Sequence, residues 1–196
     1  MIKTYLPVIL AFILGSIPSG VIIAKIKGVN LKKIGSGNIG ATNVLRAVGK
    51  GSAVLTLMGD ILKGTAAVAI GRYLSVGPLY EGILGLSAIL GHNFSVFLRF
   101  RGGKGVATGI GVLLIYTPQT AILTLIIWLA VALMTRYSSL GAILSFGLLP
   151  INVLLLDYSK IKLIISVMIT LLILSRHIGN IKRLLKGTER KIGAQA

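Results

Sequence analysis

Three short polar segments interrupt an otherwise apolar chain, and they carry the side chains that could do chemistry. They span residues 35–46, 99–105 and 176–189. Each combines glycine with lysine, arginine, asparagine or serine. Backbone amides that converge at glycines, together with cationic and amide side chains, bind phosphate and carboxylate oxygens. The three segments therefore predict chemistry on an anionic substrate.

The first segment contains Gly-x-Gly-x-x-Gly at residues 35–40, a pattern shared with dinucleotide-binding folds, and Asp60 follows it. That pattern carries meaning only between a strand and a helix. Here it follows an apolar run, and Asp60 lies three residues before Lys63 inside the next apolar run, where an ion pair is the better interpretation. We interpret the segment as an oxyanion site. A flexible loop that needs glycine for its turns is the alternative.

The second segment places Lys104 between glycines at the start of a short apolar helix, residues 105–116. A helix N-terminus carries partial positive charge, so a lysine and bare amides at that point attract an anion. The spacing is not that of a P-loop nucleotide site. The alternative is a signal for membrane topology, which Arg99 and Arg101 already supply.

The two histidines are candidates for acid–base chemistry or metal binding. The chain has no cysteine, and Glu189 is the only acid placed on the side of the three polar segments, so no metal site is expected. A Ser-His-acid triad lacks its acid for the same reason, unless Glu189 folds back. His177 lies one turn before Asn180, so both can face one cleft. His92 lies deeper in an apolar run and is interpreted as a structural histidine.

Long apolar runs must position these segments. Apolar residues make up 55% of the 196 residues and charged residues only 13%, with a formal charge of +17. A soluble domain carries about 25% charged residues, so a soluble globule and a disordered chain are both excluded. A nucleic-acid binder would need a water-exposed basic surface. We predict an all-α integral membrane protein that forms one domain over residues 1–196, with membrane lipids and no nucleic acid as partners.

Six apolar segments are long enough, or nearly so, to cross about 30 Å of hydrocarbon as helices. They cover residues 4–24, 52–73, 79–98, 118–134, 139–156 and 161–178. The first could instead be a signal peptide, but no small-residue cleavage pattern closes it. Residues 105–116 are apolar but too few to cross alone, so they are predicted to form a half-span. The predicted fold therefore has seven transmembrane helices, one of them short.

The distribution of positive charge predicts the orientation of these helices. With seven crossings, 16 of the 21 Lys and Arg residues fall on one face and four on the other, and Lys63 lies within a span. The face rich in positive charge is the cytoplasmic one. The N-terminus is therefore predicted outside and the C-terminus inside, with all three polar segments at the cytoplasmic face.

A series of motifs along the whole chain resembles a known family. The series is Gly-Ser-Ile-Pro-Ser-Gly at 15–20, Gly-Ser-Gly-Asn-Ile-Gly-Ala-Thr-Asn at 35–43, Gly-His-Asn-Phe-Ser at 91–95, Phe-Arg-Gly-Gly-Lys-Gly-Val-Ala-Thr at 100–108, Arg-Tyr-Ser-Ser-Leu at 136–140, and His-Ile-Gly-Asn at 177–180 with Glu189. It resembles the bacterial PlsY family of membrane acyl-phosphate:glycerol-3-phosphate acyltransferases. The resemblance implies transfer of a fatty acyl group from acyl phosphate to the sn-1 hydroxyl of glycerol 3-phosphate, giving lysophosphatidic acid and phosphate in phospholipid synthesis.

The resemblance also implies a site and a setting. Lys104, His177 and Asn180 are the candidate catalytic residues, while Ser36, Ser139 and Asn180 are expected to orient glycerol 3-phosphate. The candidate residues for binding substrate and phosphate are Ser36, Gly37, Asn38, Gly40, Thr42, Asn43, Arg46, Arg101, Gly102, Gly103, Gly105 and Ser139. No cofactor is implied. The implied location is the cell (inner) membrane, with a functional link to an enzyme that forms acyl phosphate.

The mechanistic hypothesis assigns charge neutralisation and proton transfer to different residues. Residues 37–43 and the helix end at 102–105 hold the phosphates, and Arg46 and Lys104 neutralise them. Either His177 or an oxygen of the acyl phosphate takes the proton of the attacking hydroxyl. Two rivals remain at this point. One is a phosphate or organophosphate transporter built on the same half-helix, and the other is an acyltransferase that uses acyl-CoA or acyl carrier protein.

Overall fold

The computed structural model describes residues 2–193, in which every regular element is a helix. Ala196, the chain end to which the topology prediction refers, lies outside the described residues. The α-helices are α1 (Ile2–Ser16), α2 (Ser19–Ile26), α3 (Ala41–Ala47), α4 (Lys50–Tyr73), α5 (Gly77–Asn93), α6 (Val106–Tyr116), α7 (Pro118–Thr135), α8 (Ser138–Gly147), α9 (Leu149–Leu156), α10 (Lys160–Arg176) and α11 (Ile178–Leu185). Two short 3₁₀ helices, Leu31–Lys33 and Val96–Leu98, precede the first and second polar segments.

The helices confirm a multi-pass membrane protein. Within residues 2–193, four helical segments are long and apolar enough to cross a membrane, namely Tyr5–Ile26, Lys50–Tyr73, Gly77–Leu98 and Pro118–Thr135. Two bent helix pairs, α8 with α9 and α10 with α11, raise the number to as many as six. The 11 residues of α6 form a further apolar helix, which at about 1.5 Å per residue is too short to cross. The short helix at this place is as predicted.

Three predicted continuous spans are broken in the structure. The first one divides at Pro18, since α1 ends at Ser16 and α2 begins at Ser19, and proline supplies no backbone N–H to continue a helix. The predicted span 139–156 bends by 45° between α8 and α9, with a proline in the first turn of α9. The predicted span 161–178 ends at Arg176, and α11 leaves α10 at 58°. His177 therefore lies at a bend between two helices, and not inside one helix with Asn180.

Glycines let the short helix α6 pack deeply against its neighbours. A methyl group at Gly64 of α4 would overlap the Thr108 carbonyl of α6, and one at Gly111 of α6 would overlap the Ile61 carbonyl of α4. Both glycines therefore let the backbones of α4 and α6 approach each other closely. Helix α6 also contacts α5 and α7, and its residues Val112 and Leu113 are fully buried. Its N-terminus is consequently held between several helices.

A buried polar cluster lies beneath this helix end, and we name its residues Asp60, Lys63 and His92 the Asp60 cluster. Lys63 Nζ lies 2.8 Å from Asp60 Oδ1, which confirms the predicted ion pair. It also donates to His92 Nδ1 at 2.8 Å and to the Ile17 carbonyl at 3.0 Å. All three side chains are at most 4% exposed. His92 is therefore a buried structural histidine, as the sequence indicated, and Asp60 has no part in a dinucleotide site.

Candidate functional site

The turn before α6 positions Lys104. Gly105 caps the helix with φ of 84°, a backbone conformation that favours glycine. By helix geometry, the amides of the first turn at residues 106–108 have no partner within the helix. Lys104 directly precedes this end, so its ammonium group and the helix N-terminus act in the same region.

The backbone amides of the glycines before Lys104 bind the protein backbone and are not free for an anion, as the sequence had predicted them to be. The Gly103 amide donates to the His92 carbonyl at 2.9 Å, and the Gly102 amide donates to the Asn93 carbonyl at 3.2 Å. These two amides are therefore not bare donors for an anion, which corrects the prediction for Gly102 and Gly103. A methyl group at Gly103 would overlap the imidazole of His92. The glycines allow the turn to lie directly on the end of α5.

Lys104 belongs to a hydrogen-bonded group that joins the second and third polar segments to the start of α8. We name Lys104, Ser139, Asn180, Arg183 and Glu189 the Lys104 cluster. Lys104 Nζ donates to Asn180 Oδ1 at 2.6 Å, and Asn180 Nδ2 donates to Glu189 Oε1 at 2.6 Å. Ser139 Oγ donates to the same Glu189 oxygen at 2.7 Å. Arg183 Nε donates to Glu189 Oε2 at 2.7 Å. Three candidate residues from distant parts of the chain thus share one network.

The electrostatics of the Lys104 cluster favour an incoming anion. Burial lowers the pKa of Lys104 to about 8, and although Glu189 raises it, Arg183, Arg46 and Arg176 lower it further. Partial burial raises the pKa of Glu189, but the hydrogen bonds from Ser139, Asn180 and Arg183 outweigh that effect and the net pKa is below its usual value. One ionised carboxylate thus stands among four cationic side chains.

Asn43 organises the loop of the first polar segment from within. Its Oδ1 accepts from the Ser36 amide at 2.9 Å, and its Nδ2 donates to the carbonyls of Asn38, Ile34 and Leu31 at 2.9, 3.1 and 3.3 Å. The side chain is 2% exposed. In this arrangement Asn43 uses its amide on the backbone, so it shapes the site and does not offer a free donor to a phosphate.

The other candidates of this segment line the outer side of the loop. Ser36 is exposed and its hydroxyl accepts from the Asn38 amide at 3.4 Å. Gly37 has φ of 68°, and Gly40 precedes the first residue of α3. Arg101 is exposed beyond the second 3₁₀ helix, and within residues 2–193 no side-chain hydrogen bond joins it to the other candidates.

Helix α3 approaches the third segment and the loop before α8. Thr42 Oγ1 lies 3.2 Å from Ser138 Oγ. Arg46 donates to the carbonyls of Arg190 and Lys191, both at 3.1 Å. The chain after α11 is further fixed by Ile192, whose amide donates to the Arg136 carbonyl at 2.7 Å. This return of the chain brings Glu189 back onto the site.

His177 is buried at the bend between α10 and α11, with 2% of its surface exposed. Its Nδ1 lies 2.8 Å from the carbonyl oxygen of Ile173. Because a carbonyl oxygen only accepts hydrogen bonds, Nδ1 carries the hydrogen, and the lone pair of the neutral ring lies on Nε2. Glu189 folds back but contacts Asn180 and Ser139, so it does not orient this imidazole as the acid of a triad would.

Four residues of this region were not among the sequence-predicted site residues. Glu189 and Arg183 complete the Lys104 cluster, Ser138 contacts Thr42, and Arg176 Nε donates to the Gly103 carbonyl at 3.2 Å. Ser138 could have been found as the neighbour of Ser139. Arg176 and Arg183 lie in the third polar segment, but nothing in their spacing separates them from arginines that face lipid head groups.

An apolar groove opens beside the site. The groove has a volume of about 650 Å³ and lies between the start of α4 and the end of α7, lined by Leu45, Trp128, Leu129 and Leu133, with Arg46 at its border. From residue 2 to residue 193, no three His, Asp or Glu side chains are grouped as a metal site requires.

The multi-pass helical fold, with basic side chains gathered at one site, defines the class of this protein, an integral membrane protein. The particular family follows from comparison with known proteins. The family model described as glycerol-3-phosphate acyltransferase matches residues 5–187. The chain therefore belongs to the glycerol-3-phosphate acyltransferase family and is a membrane acyltransferase.

Individual relatives cover nearly the whole chain. A protein named glycerol-3-phosphate acyltransferase from Rubrobacter xylanophilus is 44% identical, with 96% of this chain and 95% of the relative covered. One of the same name from Nitrobacter winogradskyi is 50% identical, with 94% of each covered. A crystal structure of PlsY, an integral membrane glycerol 3-phosphate acyltransferase in its glycerol 3-phosphate form, is 40% identical with a TM-score of 0.93, covering 97% of this chain and 96% of that chain.

Proposed function

We propose that this acyltransferase moves a fatty acyl group from acyl phosphate to the sn-1 hydroxyl of glycerol 3-phosphate. The products are lysophosphatidic acid and inorganic phosphate, in the first step of phospholipid synthesis. The observation that carries the proposal is the state of Lys104. Its ammonium group has three donors but a single hydrogen-bond partner, Asn180, among residues 2–193. Two donors remain for the oxygens of a substrate.

The acceptor substrate is supported by the relatives and by the charge of the site. Two PlsY crystal structures similar to this chain are described as the glycerol 3-phosphate form and the lysophosphatidic acid form. In this chain Thr42 contacts Ser138, the neighbour of Ser139. Arg46 donates to the backbone directly after Glu189, the residue to which Ser139 and Asn180 donate. We assign the phosphate of glycerol 3-phosphate to the cationic side chains of this region and its hydroxyls to the serine and asparagine side chains.

Acyl phosphate is the donor that best suits this set of side chains. It is a mixed anhydride, so the hydroxyl oxygen of glycerol 3-phosphate can attack the acyl carbon directly while the bond from that carbon to the phosphate oxygen breaks. Two phosphate-bearing substrates then lie together, and like charges about 4 Å apart repel by roughly 4 kcal/mol at an effective dielectric constant near 20. Lys104 offsets this repulsion and stabilises both the oxyanion and the departing phosphate.

The proton of the attacking hydroxyl has two possible acceptors. His177 Nε2 holds the lone pair of the neutral ring because Nδ1 donates to Ile173. An oxygen of the acyl phosphate could accept the proton instead, and it would then leave as part of the phosphate product. We favour the second route, with His177 accepting a hydrogen bond from the substrate and so positioning it, because no carboxylate contacts its ring in the described part of the chain.

The acyl chain is assigned to the apolar groove beside Arg46. Trp128, Leu129 and Leu133 offer a hydrocarbon surface there, and Arg46 can meet the phosphate at the polar end. A chain held in this way lies between helices and opens toward the bilayer. Binding then needs no transfer of the hydrocarbon through water, which would cost about 0.8 kcal/mol per exposed methylene group.

We propose an outer N-terminus, a cytoplasmic C-terminus and a cytoplasmic site in the cell (inner) membrane. This orientation counts the short helix α6 as the seventh of the predicted spans, which places most of the positive charge on one face. Acyl phosphate would then arrive from an enzyme that forms it in the cytoplasm. A label at residues 158–160 should react from outside, and a reporter after Ala196 should be cytoplasmic. Both ends of the chain on the same side would contradict the seven-span topology.

The function is tested with the purified protein in lipid vesicles. It receives glycerol 3-phosphate with acyl phosphate, with acyl-CoA, or with acyl carrier protein carrying an acyl group, and lysophosphatidate is measured. We expect product with acyl phosphate alone. Product only from acyl-CoA or acyl carrier protein would contradict the donor, while uptake of phosphate or glycerol 3-phosphate into the vesicles without any product would favour a transporter.

A further inference from the structure

The Asp60 cluster has no task in the proposed reaction, yet it lies directly behind the residue on which that reaction depends. Lys63 Nζ is satisfied on three sides, by Asp60 Oδ1 at 2.8 Å, His92 Nδ1 at 2.8 Å and the Ile17 carbonyl at 3.0 Å. Buried charges that have fixed partners hold their geometry tightly, because any rearrangement leaves a charge unpaired in a medium of low dielectric constant.

This geometry fixes the orientation of the His92 ring. An ammonium group only donates hydrogen bonds, so Nδ1 accepts from Lys63 and the hydrogen of the neutral ring lies on Nε2. The Nε2 side of the ring faces Gly103, because a methyl group built on Gly103 would overlap Nε2 and its two neighbouring carbons. The imidazole is thus a wall against which the backbone of Gly103 rests.

Gly103 is held from three directions at once. Its amide donates to the His92 carbonyl at 2.9 Å, its carbonyl accepts from Arg176 Nε at 3.2 Å, and its α-carbon lies against the His92 ring. The next residue is Lys104, whose Nζ reaches Asn180 Oδ1 at 2.6 Å. The backbone position of Gly103 therefore fixes the point from which the Lys104 side chain extends toward Asn180.

We propose that His92, oriented by Asp60 and Lys63, is a positioning residue for Lys104 in the acyl transfer. The inference rests on the proposed function, since Lys104 must act on the substrates for its position to matter. The proposal gives a role to the buried ion pair of Asp60 and Lys63. Stability alone does not explain such a pair well, because replacing it with apolar side chains is often neutral or stabilising.

The test is a double-mutant cycle between His92 and Lys104. Four proteins are compared in the acyl phosphate assay, namely wild type, His92→Ala, Lys104→Ala and the double variant. We expect His92→Ala to lower kcat at least about tenfold, with KM for glycerol 3-phosphate changed less than about threefold. In the Lys104→Ala background the same change should cost less than about twofold, because the residue that it positions is already gone.

Ser87→Ala is the matched control. Ser87 lies on the same helix as His92, is buried, and donates to the Val8 carbonyl at 2.8 Å, but it does not contact the turn before Lys104. Its loss should change kcat less than about threefold in both backgrounds. Equal losses from His92→Ala in the two backgrounds would overturn the proposal, because they would indicate a general structural role.

A second variant covers the case in which His92→Ala does not fold. In His92→Asn the side-chain oxygen can still accept from Lys63, while the ring atoms beside Gly103 are absent. We expect a melting temperature close to that of wild type and a kcat loss like that of His92→Ala. Wild-type kcat in His92→Asn would overturn the proposal.

Hydrogen exchange separates this inference from the proposed function. If wild type makes no lysophosphatidate, the function is wrong, but the positioning of the turn can still be measured. The peptide that covers residues 99–108 should exchange its amides faster in His92→Asn than in wild type, while in Ser87→Ala it should exchange at the wild-type rate. Unchanged exchange in His92→Asn would overturn the positioning role independently of any activity.

Discussion

The Asp60 cluster and the Lys104 cluster contain the same kinds of side chain in opposite states. Each centres on a lysine near a carboxylate, although Lys63 is fully buried and Lys104 is only partly buried. Lys63 has three close partners that include its own counter-ion, whereas Lys104 contacts an amide oxygen and meets Glu189 only through Asn180. A lysine with all of its donors satisfied fixes structure. A lysine with donors to spare is available to a ligand.

The charge balance of the two clusters differs in the same sense. The single carboxylate of the Asp60 cluster matches its single ammonium group, as burial requires. Around Lys104, one carboxylate stands among Lys104, Arg46, Arg176 and Arg183, which all affect the local electrostatics. This surplus of positive charge is unfavourable on its own, and in the proposed function the phosphate of a substrate balances it. The cluster that we assign to function is therefore the one whose charges are not balanced.

Loss of Lys104 should produce the largest effect. Lys104→Ala removes the only ammonium group of its cluster and should lower kcat/KM at least about a hundredfold, or roughly 2.7 kcal/mol. Lys186→Ala is the control, since Lys186 is exposed on the chain after α11 and is expected to meet lipid head groups. It should cost less than about twofold. Small, equal effects of the two substitutions would leave the glycine-lysine turn as a topology signal only.

His177 should follow. His177→Ala should lower activity about thirtyfold, whereas His177→Gln, whose amide reaches the position of Nε2, should retain most of the rate if the histidine positions a substrate. The loss would then lie largely in KM for glycerol 3-phosphate. An inactive His177→Gln with unchanged KM, together with an acidic limb of the kcat profile that disappears in the variant, would instead identify His177 as the base.

The sequence predicted the parts of this comparison that depend on local spacing. Asp60 and Lys63 are three residues apart, so a helix pairs them, and the glycines around Lys104 mark the turn that precedes α6. The apolar runs gave the helices and the short helix between them. These inferences needed no knowledge of distant contacts.

The remaining features depend on tertiary contacts, which spacing alone does not determine. Glu189 meets Ser139, 50 residues away in the chain, only because the segment after α11 folds back. The amides of Gly102 and Gly103 are paired because the turn returns to the end of α5. The bend at His177 changes which residues share a face, and a pattern read on one straight helix does not predict it.

Removing the charge of Glu189 tests what the single carboxylate of the Lys104 cluster does. Glu189→Gln keeps the shape but removes the charge that orders Asn180, Ser139 and Arg183. We expect KM for glycerol 3-phosphate to rise about tenfold with a smaller change in kcat. Thr188→Ala, an exposed change one residue away, should leave both parameters near wild type. A lower KM in Glu189→Gln would mean that the carboxylate competes with the substrate phosphate and does not organise its site.

The pH dependence of activity should show the smallest effect, and it tests directly whether the charge of Lys104 is required. Lys104 has a pKa of about 8 because it is buried among arginines, so kcat/KM should be half-maximal near pH 8 and about a tenth of maximal at pH 9. The phosphate of glycerol 3-phosphate is already fully ionised there, since the second pKa of a phosphate monoester is about 6. Lys104→Arg keeps a charge throughout and should lack this limb.

Stability should change in the opposite direction. Between pH 8 and the ordinary lysine pKa of 10.5 the unfolded chain binds more protons at this position than the folded one, so the contribution of Lys104 to the free energy of unfolding rises with pH. The melting temperature of wild type relative to Lys104→Met should therefore increase over the range in which activity falls. A basic limb that persists in Lys104→Arg, or a parallel fall of activity and relative stability, would show that Lys104 is not the group whose charge the reaction requires.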